Sequence, residues 1–336
     1  MAELKRPDEL TIDELSKIYT GLADELLERE SFSRILGDRQ KILGFEDNFR
    51  RTHEVKVSVL DVSKTGFLNY NGHYPINKLS TTTKTYKMEN DRALKIIYDK
   101  LKENDDSVRG MSLSYALNKI TRNKAVPEVD AYAFAKIYQQ IKKPTDFTKT
   151  TKVLDTIDGI VDEIFDKNGI ANDQLVLFVN TTVRRKIKQV LADKKVYFNA
   201  SEITANGYKF NVPTYEDIPI IQIPKSRFYT KLKLYTEEEY TTSEANVGYA
   251  KAPTDGKDIA FLLLPRDAYL PLMKFEEIKI APDTVTNTLD RNNSAALNMI
   301  YDGLYDDILY PEMVYGMKMA DDYSTLSAEG GKSVKG

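Results

Sequence analysis

Imidazole is the side chain best suited to moving protons near neutral pH, and this chain has two histidines, His53 and His73. A nucleophile–base–acid triad would need one of them. Neither lies near a nucleophile elbow, and no G-x-S-x-G run occurs. With 0 cysteines there is no thiolate nucleophile, no disulfide framework and no thiolate metal site. A zinc centre needs more imidazole or thiolate than the chain owns. Carboxylates are plentiful, at Asp306-Asp307, Asp321-Asp322 and Glu237 to Glu239. Such pairs can hydrolyse glycosides, but these sit in turns or tails, in a chain with 0 tryptophans to offer a sugar platform, and read as solvated surface. Gly331-Lys332-Ser333 has the look of the end of a phosphate-binding loop. The full motif needs glycine at position 326, which is Leu, and a strand before it and a helix after it. No G-x-G-x-x-G is present. No catalytic, cofactor or metal set is expected, and the chain does not read as an enzyme.

Basic residues cluster at Arg184, Arg185, Lys186 and Lys188, and at Lys136, Lys142 and Lys143. Either group could face a polyanion; the charged face of a solvated helix is the plainer reading. The net charge of −3 and pI of about 5.7 do not point to a dedicated DNA-binding surface, but leave room for a locally basic face. Hydrophobic content of 41 % and charged content of 29 % over 336 residues are those of a soluble protein with two or three domains. No apolar run approaches the roughly 20 residues of a membrane span. The N-terminus lacks the basic-then-apolar pattern of a secretory signal, so synthesis and assembly in a cytoplasm are expected.

The element around which the chain is organised runs from Met111 to Lys143. Leu113, Ala116, Leu117 and Ile120 share one helical face, and Val126, Val129, Ala133, Ile137 and Ile141 continue the series. A single helix of that length would reach roughly 45–50 Å. Pro127 lacks an N–H and crowds the preceding turn, which predicts a kink or a break there. Residues 8 to 43 read as amphipathic helix divided at Gly21 and at Ser31–Ser33. It is either a hairpin on its own core or an arm laid on a neighbouring subunit. Val55, Val57 and Val59 alternate in a strand, and LSTTTKTYKM alternates again after a turn-rich stretch from Lys64 to Pro75. This is a two-stranded ribbon with a wide tip and polar faces. Alone it would be marginal in water, so it reads as a loop reaching onto another molecule. Asn90 to Asp106 reads as the lead into the long helix.

After Pro144 the pattern is α/β. Thr151 to Asp166 is an amphipathic helix ended at Asn168-Gly169. LVLFVN (175–180) is a strand buried on both faces, followed by a helix from Thr181 to Lys194. Strands are expected at 208–212, 218–223, 259–264, 275–280 and 308–319, and a flexible tail from Ala320.

Taken in order, these blocks resemble the major capsid proteins of tailed bacteriophages, in the branch found in phages of Gram-positive bacteria. The resemblance rests on HYPINKLSTTTKTYKMENDR, on Val126-Pro127-Glu128-Val129-Asp130-Ala131-Tyr132 in the long helix, and on LVLFVNTTV. It rests also on VPTYEDIPIIQIPKSRFYT, on IAFLLLPRDAYLPLMKFEEIKIAPD and on YDGLYDDILYPEMVYGMKM. It covers about residues 55 to 320 and implies an α+β fold. The implied parts are an N-terminal arm or scaffold-like segment (1–50), an extended loop (51–90), a peripheral domain with a spine helix (91–145 and about 266–290), an axial α/β domain (146–265 and about 291–320) and a tail (321–336). It implies a subunit that assembles through hexamers and pentamers into an icosahedral shell around double-stranded DNA, held non-specifically, with portal and scaffold proteins as partners, no membrane and a place in the virion. The loop would then put Lys64, Asn71, His73, Tyr74 and Lys78 against neighbouring subunits, with Pro127 as the bend of the spine. Encapsulin shells, which share the fold, and less closely a soluble α/β hydrolase, are the alternatives.

Overall fold

A computed structural model describes residues 12–37, 54–61, 80–99, 113–194, 199–205, 208–243, 247–281, 292–307 and 310–320. The chain is α+β. In order, the helices are α1 (Ile12–Glu30), α2 (Leu113–Ile120), α3 (Val126–Gln139), α4 (Val153–Asn168), α5 (Thr181–Asp193) and the short α6 (Glu237–Thr242). The strands are β1 (Glu54–Asp61), β2 (Ser80–Lys87), β3 (Asn90–Asp99), β4 (Thr145–Phe147), β5 (Leu175–Asn180), β6 (Asn199–Ala205), β7 (Tyr208–Tyr215) and β8 (Ile218–Ile223). They continue with β9 (Leu232–Leu234), β10 (Tyr249–Lys251), β11 (Ile259–Pro265), β12 (Tyr269–Ala281), β13 (Asn292–Tyr305) and β14 (Tyr315–Met319).

A seven-stranded mixed sheet runs β4-β14-β11-β5-β8-β7-β6. Its centre is apolar without alternation because both faces are covered. Val176, Phe178, Leu262 and Leu264 pack with Phe134, Ile137 and Tyr138 of α3. Leu175, Leu177, Val179, Phe261 and Leu263 pack with α4 and α5 on the other face. Asn180 closes β5 and opens α5. Its Oδ1 accepts from Val183 N–H at 2.8 Å, and its Nδ2 donates to Ile259 O on β11 at 2.9 Å. Gly169, at φ +65°, ends α4 in the left-handed conformation expected of the Asn-Gly pair.

A second, three-stranded sheet runs β12-β13-β3. Met273, Phe275, Ile278, Leu297, Met299 and Tyr301 form its inner face against Leu117, Val126 and Val129 of the long helix and Ala23 and Leu27 of α1. α1 lies along β12, whose bulge falls between Phe275 and Glu277. There the Thr20 hydroxyl oxygen accepts from Ile278 N–H at 3.1 Å, and Asp24 Oδ1 accepts from Phe275 N–H. Side chains of a helix thus occupy the amides that an edge strand would otherwise leave open. Of the two readings of the N-terminal segment, the described part packs on its own chain; Ile18 and Leu22 stay exposed on its far side. Gly21 does not interrupt the helix, whereas Ser31–Ser33 does.

Four expectations change. Asn90–Asp99 is strand β3, not a lead into the helix, because pairing with β13 from Asn90↔Tyr301 to Asp99↔Asn292 overrides its helix-favouring Ala, Leu and Lys. The sequence before Tyr301 does not signal β13, whose residues 292–305 pair with β12 and β3. Among the described residues of the expected strand 308–319, only Tyr315–Met319 is strand, since Tyr310 to Val314 makes a turn with Glu312 at φ +59°. At Pro127 the helix neither breaks nor ends. A π-helical turn, Thr121–Ala125, joins α2 to α3, so backbone helix runs from Leu113 to Gln139, roughly 40 Å. The proline ring would crowd the carbonyl of Asn123 in a regular helix, and the wider turn lies where that crowding falls. The tail expected over 321–336 lies outside the described residues.

Candidate functional site: a joint of buried carboxylates around the central helix

Three carboxylates are buried along α3 and the strand beside it. They arise because α3 packs on two sheets at once, so positions that would face solvent on an ordinary surface helix are enclosed.

Glu128 accepts from Arg92 Nε at 2.9 Å and from the Tyr301 hydroxyl at 2.9 Å. The rest of the Arg92 guanidinium donates to Tyr235 O at 2.8 Å and Gly248 O at 2.9 Å. One arginine of β3 thereby ties the three-stranded sheet, the central helix and the β9–β10 hairpin. The planar five-donor fork suits that three-way task in a way a lysine could not match.

Asp130, with no exposed surface, receives four donors. Ser31 Oγ donates at 2.6 Å, Phe32 N–H at 3.1 Å, Ser33 N–H at 3.1 Å and Arg227 Nη1 at 3.1 Å. The Arg227 guanidinium also lies 5.4 Å from the Phe32 ring centre. The carboxylate fastens the segment after α1 and the turn after β8 to the helix.

Asp302 of β13 accepts from Lys136 Nζ, from the Tyr132 hydroxyl at 3.1 Å, from Gly303 N–H at 2.7 Å and from Glu89 N–H at 3.3 Å. The rings of Tyr132 and Tyr301 meet edge to face at 5.3 Å. Burial first, and then the charge of Asp302 or Glu128, pushes both hydroxyls far above the usual tyrosine range, so each stays a donor.

The ribbon is rooted in this joint. β1 and β2 pair from Glu54↔Lys87 to Asp61↔Ser80 and form a sheet of their own. At its base Met88 is buried with Leu270, Leu272, Ile300 and Leu304, Glu89 N–H rests on Asp302, and Arg92 rests on Glu128. Lys64, Asn71, His73, Tyr74 and Lys78, named as loop contacts, lie outside the described residues, as does His53.

The other groups with chemical potential are dispersed. Glu239 caps α6 in a capping box with Thr236 and pairs with Lys233 at 2.5 Å. Lys142 pairs with Glu312 on the surface. Lys136 is committed to Asp302. Lys186 donates to Lys149 O at 2.9 Å and lies over the Phe147 ring, and burial lowers its pKa. Arg184 donates to Gln222, while Arg185 and Lys188 stand exposed on α5. Among the described residues no cluster of His, Asp or Glu is arranged to hold a metal ion. No helix of the described residues is long and apolar enough to cross a membrane. The buried carboxylates link the base of the ribbon, the central helix and both sheets. Sequence reading placed Glu128, Asp130 and Tyr132 in one block, but missed Arg92, Arg227 and Asp302 as their partners. The Lys225-Ser226-Arg227-Phe228 run was the available signal.

No protein-family model matches the chain, and no curated protein matches it in sequence. Among solved structures it is similar to one titled Mycobacterium phage Ogopogo, at 11 % identity, covering 88 % of this chain and 92 % of that one with a TM-score of 0.47. It is also similar to the capsid structure of the cyanophage P-SCSP1u, at 12 % identity, 85 % and 86 % coverage and a TM-score of 0.47. A virus-like particle from Pyrococcus furiosus is similar at 8 % identity, 91 % and 100 % coverage and a TM-score of 0.46.

Proposed function

We propose that this chain is a major capsid protein that self-assembles through hexamers and pentamers into an icosahedral shell enclosing phage double-stranded DNA. The observation that carries the reading is the ribbon. Eight paired residues on each strand project from a base fixed by Met88, Glu89 and Arg92, and the two strands pair only with each other among the described residues. Such a ribbon is marginal in water unless something else covers it, and a rigid joint at its root gives it a set direction.

On this reading the tip residues Lys64, Asn71, His73, Tyr74 and Lys78 contact neighbouring subunits. Portal and scaffold proteins, and non-specifically held DNA, are the partners; the shell is assembled in the host cytoplasm and resides in the virion. Pro127 and its π turn set the curvature of the central helix relative to the shell.

Electron microscopy of the purified chain, expressed alone and with the genes beside it, is the direct test. Closed shells or capsomers are expected; a monomer that persists under all assembly conditions would sink the reading. DNA inside the shells separates a virion from an encapsulin, which would hold a cargo enzyme. Deleting Lys64 to Pro75 should leave a folded subunit and impair shells, and Pro127→Ala should change shell geometry or yield.

A further inference from the structure

The two helices on the outer face of the seven-stranded sheet carry opposite charge. In α4, Asp155, Gly159, Asp162 and Asp166 follow one another at helical spacing along the exposed ridge, opposite the buried Ile157, Val161 and Ile164. Phe165 stands beside them, 56 % exposed. Asp158 is turned inward to the Tyr215 hydroxyl at 3.1 Å, and Glu163 pairs with Lys167. In α5 the exposed side carries Arg184, Arg185 and Lys188, opposite Val183, Ile187 and Leu191. No ion pair engages Asp162, Asp166, Arg185 or Lys188 among the described residues.

Either ridge alone would be ordinary solvated surface. Their placement is what distinguishes them. Both helices pack into the same cluster on one face of the sheet, so a single surface offers an acidic stripe and a basic stripe side by side. That surface is complementary to a copy of itself. An exposed phenyl ring within the acidic stripe also suits an arginine, whose guanidinium stacks on aromatic faces. We propose that this face is a contact between copies of the chain, with Arg185 and Lys188 of α5 in one copy docked on Asp162, Asp166 and Phe165 of α4 in the next. The proposal rests on the shell reading above. A contact between two different patches, repeated head to tail, closes into a ring when the rotation allows it.

Charge reversal tests it in the full chain, with assembly followed by sedimentation and electron microscopy at physiological salt and melting followed by circular dichroism. The pairs Asp162→Lys with Asp166→Lys, and Arg185→Glu with Lys188→Glu, should each lower the assembled fraction about tenfold with an unchanged melting profile, because like charges then face each other. The four substitutions together should restore assembly to within about twofold of wild type. Should a reversal unfold the chain, Asp162→Asn with Arg185→Gln carries the same test, with a smaller loss that depends less on salt.

Two folded double variants that assemble normally, or a folded fourfold variant that fails to assemble, would overturn the proposal. So would a defect confined to the basic-ridge variant and to its nucleic-acid content, which would assign α5 to a polyanion instead. A wild-type chain that never assembles removes the shell reading itself, whereas normal wild-type shells indifferent to both reversals remove only this contact.

Discussion

Arg227 Nη1 stands 3.1 Å from Asp130 Oδ2, and that ion pair joins the turn after β8 to the central helix. Asp130 is fully buried and the Arg227 side chain is 18 % exposed, so neither charge is left to water. Removing one partner strands the other. Asp130→Ala should destabilise the subunit by about 3–5 kcal/mol. Asp130→Ala with Arg227→Ala should cost less than the two single changes added together, by about 1–3 kcal/mol. Urea unfolding of the four proteins measures the coupling, and strict additivity would remove the pair from the joint.

Gly303 lies opposite Pro271 in the β12–β13 ladder, beneath the Tyr269 ring. A Cβ there would come 1.7 Å from the Tyr269 hydroxyl oxygen and 2.2 Å from Cζ. Tyr269 has no exposed surface to retreat to. Gly303→Ala should therefore cost about 3 kcal/mol, at the upper end for overpacking, and in combination with Tyr269→Ala the loss should be smaller than the two single losses added together. Equal melting temperatures for Gly303→Ala and wild type would show that the ring yields freely.

The β7–β8 hairpin turns at Glu216 and Asp217, with φ of +47° and +67°. Both values belong to the two-residue turn that favours Asn-Gly. Replacing Glu216-Asp217 by Asn-Gly should stabilise the chain by about 1 kcal/mol, since left-handed backbone is costly for residues with a larger side chain. A thermal melt that moves down rather than up would contradict this account of the turn.

Alkaline pH should unfold the chain through its tyrosines. Burial pushes Tyr138 and Tyr249 from 10.0 up to about 12, and raises Tyr132, Tyr215, Tyr269 and Tyr301 further. A folded pKa above the unfolded one means that the stabilising contribution is complete below pH 10 and is lost as pH rises through the folded values. Phenolate absorbance from the buried set should therefore rise only above the usual tyrosine range, together with loss of circular dichroism. A single titration of all 21 tyrosines at the usual pKa, with the fold intact, would refute this.

Much of the framework could be read from the sequence. LVLFVN and IAFLLLP stand out because a strand covered on both faces needs no polar alternation, and the ribbon stands out because its threonines alternate. β3 and β13 did not, because Ala, Asn and Lys carry weak strand preference and the pairing that decides their state is supplied by residues far along the chain. The joint was half legible for the same reason. Glu128, Asp130 and Tyr132 sit in one short block, but Arg227 lies 97 residues from Asp130 and Tyr301 lies 173 from Glu128. A carboxylate in a sequence does not announce whether its partner will be water or a buried guanidinium.

The closure of β12 by α1 has a consequence in time. Thr20 and Asp24 lie 258 and 251 residues ahead of the amides they occupy, those of Ile278 and Phe275. Contacts so distant in sequence form late and slowly. Until they form, β12 presents a free edge and α1 an unsealed apolar side. The sheet edge is closed only once β12, far along the chain from α1, has been made.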